Sequence, residues 1–85
     1  TRLYTPDFYV KDFDFYVETK GRFVSSDRAK HLLIKEQHPD LDIRFIFMND
    51  KIRLDKRSKT TYGDWCNKHD FKYAVNRLPE EWMKI

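Results

Sequence analysis

The fold of this chain is constrained most strongly by two neighbouring stretches. In each of them, largely apolar positions alternate with largely polar ones. Residues 4–10 alternate with a period of two, and the same pattern returns over residues 13–20. Such alternation predicts half-buried β-strands. The short segment between them predicts a hairpin loop, formed either by residues 11–12 or by residues 11–14. We therefore expect an antiparallel strand pair near the start of the sequence.

The hairpin decides where three charged residues lie. A two-residue loop places Asp7 diagonally from Glu18, and a four-residue loop places the two directly opposite each other. In both registers Lys20 shares their face of the sheet, whereas a three-residue loop would turn one strand over and separate them. The opposite face then carries apolar side chains, namely Phe8, Val10, Phe15 and Val17.

The middle of the chain predicts a strand–helix–strand crossover. Gly21 ends the second strand, Ser25 or Ser26 offers a helix N-cap, and Asp27 complements the helix dipole. The helix should end at His38-Pro39. The apolar run over residues 43–48, broken only by Arg44, predicts a strand buried on both faces. The expected buried stripe of the helix is Ala29, Leu32, Leu33 and Glu36.

The last third of the chain predicts shorter elements. Residues 49–59 form a loop, with a short strand at 52–54 as one option. Thr61 and Asp64 resemble a capping box that opens a helix running to about His69. Residues 71–75 predict a strand and residues 79–83 a helical turn. The sequence therefore predicts an α/β domain.

Composition limits the classes of protein that fit. With 85 residues the chain forms one small domain, and its net charge of +3 with a pI near 9.0 is compatible with a polyanionic partner. Cys66 is the only cysteine, which excludes an internal disulfide framework and favours a reducing, cytoplasmic location. No apolar run approaches the roughly 20 residues of a membrane span, and no secretory leader is visible.

The acidic pair and the lysine predict a metal-dependent phosphodiesterase site. Asp7 and Glu18 would hold Mg²⁺ or Mn²⁺, with the Thr19 carbonyl as a further oxygen ligand. Lys20 would lie over the scissile phosphate and assist the attacking water or stabilise the charged transition state. The alternative is a surface ion-pair cluster on the solvated face of a hairpin.

Basic residues elsewhere are candidate phosphate ligands, each adding affinity that depends on salt but not on sequence. The alternative is that these basic residues only lie on a solvated loop and on the helix surface. We expect Cys66 and His69 to lie on a helix surface, and Tyr62, Trp65 and Trp82 in the core. The candidates for DNA contact are Arg22, Arg28, Lys30, Lys51, Arg53, Lys56, Arg57 and Lys59.

Several segments together resemble one family of nucleases. Residues 4–8 (YTPDF), 17–21 (VETKG) and 30–39 (KHLLIKEQHP) closely resemble the phage endonuclease I family of Holliday-junction resolvases. The likeness continues through residues 41–44, Tyr62-Gly63, Cys66, Lys68-His69, Pro79 and Glu81-Trp82, and so covers nearly the whole chain.

The resemblance implies a PD-(D/E)XK (restriction-endonuclease-like) core, in which helices flank a mixed β-sheet. Asp7 and Glu18 match the metal-binding carboxylates of the family, and Lys20 matches its catalytic lysine. The implied activity is metal-dependent hydrolysis of branched DNA, above all four-way junctions, that leaves 5′-phosphates. The implied assembly is an intertwined homodimer that recognises junction shape.

One departure from the family pattern concerns the region upstream of Asp7. The family has a further catalytic glutamate on a helix there, followed by a strand, and residues 1–85 contain neither. We therefore expect a single nuclease domain that lacks the first helix and strand. The alternatives are the nuclease module of a homing-type endonuclease, a non-catalytic DNA-binding or dimerisation fragment, and a protein-interaction module that only retains the fold.

Overall fold

Residues 6–83 of the computed structural model form a mixed four-stranded sheet that packs against two helices. The strands lie side by side in chain order, with β1 antiparallel to β2 and with β2, β3 and β4 mutually parallel. This arrangement confirms the α/β prediction. The elements are β1 (Phe8–Val10), β2 (Phe15–Lys20), α1 (Ser25–Gln37), β3 (Ile43–Phe47), α2 (Tyr62–Lys68), β4 (Lys72–Val75) and a 3₁₀ turn (Glu80–Met83).

The predicted hairpin is present and has the longer of the two loops. Val10 pairs with Phe15, so residues 11–14 form the turn, and both strands are shorter than the alternation predicts. Asp14 adopts a left-handed backbone with φ of 53°, and the Tyr9 hydroxyl donates to its carboxylate at 2.8 Å. These contacts fix the longer loop. Residues 4–5 of the first predicted strand lie outside the described residues.

The crossover is also confirmed, because α1 connects two parallel neighbours, β2 and β3. The predicted N-cap is wrong. The residue preceding α1 is Val24, which has no side chain to cap the free amides, and both Ser25 and Ser26 lie within the helix. Asp27 stands in the first turn as expected, and His38 ends the helix.

The buried face of α1 differs from the predicted stripe. His31 is its fully buried residue, whereas Leu33 is half exposed and Ala29 and Glu36 are exposed. The His31 ring packs edge-on against Phe45 of the sheet, with ring centres 4.9 Å apart. The face of the helix that meets the sheet therefore shares only Leu32, which packs against the core, with the predicted stripe.

The core between sheet and helices is mostly aromatic. Phe23, Phe45 and Phe47 are fully buried, and Trp65 packs edge-on against Phe23 at 4.9 Å between ring centres. The core prediction is confirmed for Tyr62 and Trp65, and Trp82 is partly buried. The surface prediction for Cys66 is wrong, since this thiol is fully buried and burial raises its pKa to about 12.

The predicted capping box at α2 is present, as the Thr61 hydroxyl accepts from the Asp64 amide and the Asp64 carboxylate accepts from the Thr61 amide. The optional strand at 52–54 is reduced to a single bridge between Arg53 and Thr61. Across residues 6–83, no helix combines the length and apolar character needed to cross a membrane.

Candidate active site

The hairpin register indicates that Asp7 lies near Glu18. Phe8 pairs with Val17, so one further step along the ladder places Asp7 opposite Glu18. Opposite side chains in an antiparallel pair share a face and have Cβ atoms roughly 4.5–5.5 Å apart. Lys20 lies two residues further along β2 and therefore shares that face. This is the predicted arrangement for a four-residue loop.

Asp7 is held in place by a residue of the neighbouring strand. The backbone amide and the hydroxyl of Thr19 both donate to Oδ2 of Asp7, each at 2.8 Å. The amide hydrogen bond is the main cause of a lowered Asp7 pKa, with smaller contributions from the hydroxyl and from the positive charge of Lys20, against a rise from partial burial. Asp7 therefore stays ionised in mildly acidic solution.

The same contacts orient the Thr19 carbonyl. In a strand the N–H and C=O groups of one residue point to the same side. Since the Thr19 amide points towards Asp7, its carbonyl oxygen also points to the β1 side of β2. The next carbonyl, that of Lys20, accepts from the Met48 amide on the opposite side, which agrees with this alternation.

Glu18 and Lys20 lie on the face of the sheet that α1 covers. Glu18 is only 5% exposed, and the residue paired with it on β3 is Phe45 of the core. Lys20 is more open and forms an ion pair with Asp27 in the first turn of α1, with Nζ and Oδ1 3.8 Å apart. The helix therefore limits the positions that the lysine can take.

The oxygen donors of Asp7, Glu18 and Thr19 are of the kind that Mg²⁺ and Mn²⁺ prefer. Within residues 6–83, no group of three or more His, Cys, Asp or Glu side chains is close enough to hold a metal ion. A cation at this place would have two carboxylates, the Thr19 carbonyl and ligands from outside this set. Magnesium accepts such a site, because it usually keeps several waters and binds substrate phosphates directly.

Most of the candidate phosphate ligands lie at one edge of the sheet. Since β2, β3 and β4 are parallel, the connections that follow them meet at the carboxyl edge, where Asp7 also lies. These connections, residues 21–24, 48–61 and 76–79, carry seven basic side chains against two aspartates. The basic residues are Arg22, Lys51, Arg53, Lys56, Arg57, Lys59 and Arg77.

The structure separates two of the predicted DNA contacts from this group. The Arg28 guanidinium is partly buried and donates to the Phe23 carbonyl at 2.6 Å, so it fixes the entry to α1. Lys30 is exposed on α1. By contrast, Arg22, Arg53 and Lys56 surround a single cleft.

Sequence reasoning missed two charged residues near the site. Asp27 was interpreted only as a helix-dipole residue, although it also pairs with Lys20. Asp27 follows Lys20 by seven residues, with Gly21 between them. No known sequence pattern at this spacing predicts an ion pair. Arg77 follows β4 at the same edge as the other basic residues. The predicted strand over 71–75 ends just before Arg77, but the sequence carries no signal for the parallel pairing that brings this residue to the edge.

Comparison with known proteins agrees with the resemblance seen in the sequence. The phage endonuclease I family matches residues 1–85. The chain is 52% identical over 81 residues to "Endonuclease I" of Escherichia phage T7, a match that covers 95% of this chain and 54% of that protein. It is 49% identical over 82 residues to "Endodeoxyribonuclease 1" of Enterobacteria phage T3, covering 96% of this chain and 53% of that protein.

The chain thus spans about half the length of these curated relatives. The family match nevertheless extends over the whole chain, including both strands of the hairpin and the carboxyl edge of the sheet. On this ground the chain belongs to the phage endonuclease I family.

Proposed function

We propose that this chain is the catalytic part of a metal-dependent endodeoxyribonuclease with a PD-(D/E)XK core, which cuts branched DNA such as four-way junctions. The proposal is supported by the hairpin register, which, continued one step beyond the pair Phe8 and Val17, would set Asp7 opposite Glu18 with Lys20 on the same face. The names of the two relatives support an endonuclease that acts on DNA.

In this proposal each residue of the site has a separate task. Asp7, Glu18 and the Thr19 carbonyl hold Mg²⁺ or Mn²⁺, and the hydrogen bonds from Thr19 keep Asp7 ionised and oriented. When bound, the ion polarises the phosphoryl oxygens and makes its bound water more acidic. Lys20 stabilises the charge that develops on the phosphate, and its ion pair with Asp27 sets its position.

The test uses a labelled four-way junction with Mn²⁺ and the substitutions Asp7→Ala, Glu18→Ala and Lys20→Ala. We expect each to abolish cleavage and to leave junction binding in the presence of EDTA nearly unchanged. Asp12→Ala is the matched control, because this exposed carboxylate lies in the hairpin loop at the opposite edge of the sheet. Undiminished cutting by the Glu18 variant would refute the assignment.

A readout independent of cleavage tests the metal site itself. Mn²⁺ binding, measured by titration calorimetry, should weaken in the Asp7 and Glu18 variants and remain unchanged in the Asp12 variant. If all four proteins bind Mn²⁺ equally, the two carboxylates are not its ligands.

A second candidate function is a non-catalytic DNA-binding or dimerisation fragment. The observation in its favour is that residues 6–83 contain no group of three acidic, histidine or cysteine ligands. Junction binding without cleavage in Mn²⁺ would support this candidate.

We also propose that the protein acts as a homodimer. The supporting observation is β1, a three-residue strand at the edge of the sheet whose Phe8 side chain is 61% exposed. An uncovered edge strand with apolar side chains favours association. Sedimentation analysis over a range of concentrations tests this, and a monomer at every concentration would contradict it.

A further inference from the structure

A cleft of about 480 Å³ opens at the carboxyl edge of the sheet, beside the candidate active site. One wall is the segment that follows β2, and the other is the first half of the loop between β3 and α2. Its volume falls within the roughly 300–1,000 Å³ typical of sites for small organic groups. In open sheets of parallel strands, ligands bind at this edge.

The cleft has a fixed shape, because hydrogen bonds join its two walls. The Tyr62 hydroxyl accepts from the Phe23 amide at 3.2 Å, which ties the start of α2 to the segment after β2. Opposite, the Leu54 amide donates to the Thr60 carbonyl, and the Tyr62 amide donates to the Ile52 carbonyl, both at 2.9 Å. The loop is therefore a narrow hairpin whose position is set by backbone contacts.

The lining of the cleft combines an apolar wall with a basic rim. Val24 and Ile52 are 40% and 38% exposed, and Leu54 lies beside them. The rim consists of Arg22, Arg53 and Lys56. Its one carboxylate, Asp55, is engaged in the loop turn, where Oδ1 accepts from the Arg57 and Ser58 amides at 2.8 Å each.

This combination suits a nucleotide better than a protein segment. A nucleotide carries a planar base with apolar faces and an anionic phosphate, so an aliphatic wall with a basic rim matches both of its parts. Arg22 lies two residues after Lys20, so the cleft begins close to the candidate metal site.

We propose that the cleft binds one nucleotide of a DNA strand, with its base against Val24, Ile52 and Leu54 and its phosphate at Arg22, Arg53 and Lys56. The inference rests on the proposed nuclease function and names a contact that acts beside the cut. It implies that the protein prefers DNA with a base available for this cleft, as in unpaired nucleotides near a branch point.

Binding in EDTA tests the inference separately from cleavage. The probes are a fluorescein-labelled thymidine dodecamer and a dodecamer of abasic tetrahydrofuran phosphates, which has the same backbone without bases. Anisotropy titrations should show that the wild-type chain binds the thymidine strand about 5-fold more tightly, which corresponds to burial of roughly 40 Å² of apolar surface at about 25 cal/mol per Å². Ile52→Ala should reduce this preference to less than about 2-fold while abasic affinity stays constant, and Arg53→Gln should weaken both strands equally.

Leu33→Ala is the matched control, since it removes an exposed aliphatic side chain from α1, outside the cleft. It should keep the wild-type preference. Val24→Ala provides a second cleft variant, and circular dichroism verifies that each variant is folded. Equal affinity for the two strands, absence of binding to both, or the same effect of Ile52→Ala and Leu33→Ala would overturn the inference. Junction cleavage by the wild-type chain decides the proposed function independently.

Discussion

Asp7 is positioned by the neighbouring strand more than by its own. It lies just before β1, and its carboxylate accepts two hydrogen bonds from Thr19 of β2. The hydrogen bond from the Thr19 amide is donated by the backbone, so only a substitution of Thr19 by proline removes it. The hydroxyl bond, in contrast, depends on the side chain alone, and its contribution to the site is therefore open to measurement.

We predict that Thr19→Val raises the pKa of Asp7, because the variant keeps the side-chain shape and loses one of two donors to Oδ2. A hydrogen bond of this kind contributes about 1 kcal/mol, or about 5-fold in rate. Cleavage near neutral pH should fall by up to that factor, because Asp7 is held less firmly, and the pKa of Asp7 measured by NMR titration should rise in the variant. Thr19→Ser keeps a hydroxyl and serves as the control. The same Asp7 pKa in the Val and Ser variants would contradict the prediction.

His31 is a buried titratable group in a largely aromatic core. Burial is the main cause that lowers its pKa from 6.5 to about 4, with further contributions from the positive charges of Lys20 and Lys30 and an opposing one from Asp27. The unfolded chain thus takes up this proton near pH 6.5, and the folded chain only near pH 4. Stability from this group is complete above pH 6.5 and falls as the pH drops towards 4.

We predict that the free energy of unfolding of the wild-type chain decreases by up to about 3 kcal/mol between pH 7 and pH 4 because of His31 alone. Urea denaturation at a series of pH values measures the slope. His31→Phe should reduce the slope over this range, and His38→Gln, which changes an exposed histidine, should leave it as in the wild type. Parallel curves for all three proteins would show that His31 does not carry this dependence.

At the scale of elements, α2 approaches β4 closely at one glycine. A Cβ atom added at Gly63 would lie 2.7 Å from the Tyr73 hydroxyl oxygen, 2.9 Å from Cζ of the same ring and 3.3 Å from Oδ2 of Asp50. Alanine is otherwise preferred over glycine in a helix by about 1 kcal/mol. Close packing against Tyr73, rather than helix propensity, therefore accounts for the glycine.

We predict that Gly63→Ala destabilises the fold by about 1–3 kcal/mol, because the ring of Tyr73 must shift to accommodate the methyl group. Thermal unfolding of the single variants and of Gly63→Ala/Tyr73→Phe measures the coupling. The double variant should recover part of the loss, since the closest atom is the hydroxyl oxygen. A loss in the double variant equal to the sum of the two single losses would show that the contact does not limit this position.

Local sequence patterns predicted most helices and strands. They failed where contacts between residues far apart in the chain determine which side chains are buried. The period-two alternation predicts that Asp7, Glu18 and Lys20 share one face, because strand geometry fixes side-chain direction, and the predicted hairpin is present. It left two hairpin loops open, since the Tyr9–Asp14 hydrogen bond that accompanies the longer one involves side chains.

The buried face of α1 shows why hydrophobicity alone was insufficient. As a charged residue, Lys35 is expected to lie on the solvent-exposed face of α1. Its ammonium nevertheless donates to the Asp70 carbonyl at 3.0 Å and lies 4.5 Å from the centre of the Phe71 ring. Its aliphatic stem thereby covers part of the core. Likewise, the cleft depends on contact between Phe23 and Tyr62, which are 39 residues apart in the chain. No local pattern contains that information.

At the scale of the whole molecule, charge is divided along the strand direction. The connections at the carboxyl edge carry seven basic side chains and two aspartates, as described for the candidate site. Those at the amino edge, residues 11–14, 38–42 and 69–71, carry five aspartates and one lysine. The net charge of +3 is therefore the sum of a basic edge beside Asp7 and an acidic edge on the opposite side. This arrangement orients a polyanion towards the candidate site.

This division predicts that the position of a positive charge matters more than its number. The double substitution Arg57→Gln/Lys59→Gln removes two charges from the basic edge, and Lys11→Gln/Lys72→Gln removes two exposed charges from the acidic edge. Each phosphate contact contributes about 0.9 to the slope of log affinity against log salt for duplex DNA. Junction binding in EDTA should therefore show a slope smaller by up to about 1.8 for the first variant and nearly unchanged for the second. If both variants lose the same affinity and slope, DNA responds only to net charge, and the basic edge is not its binding surface.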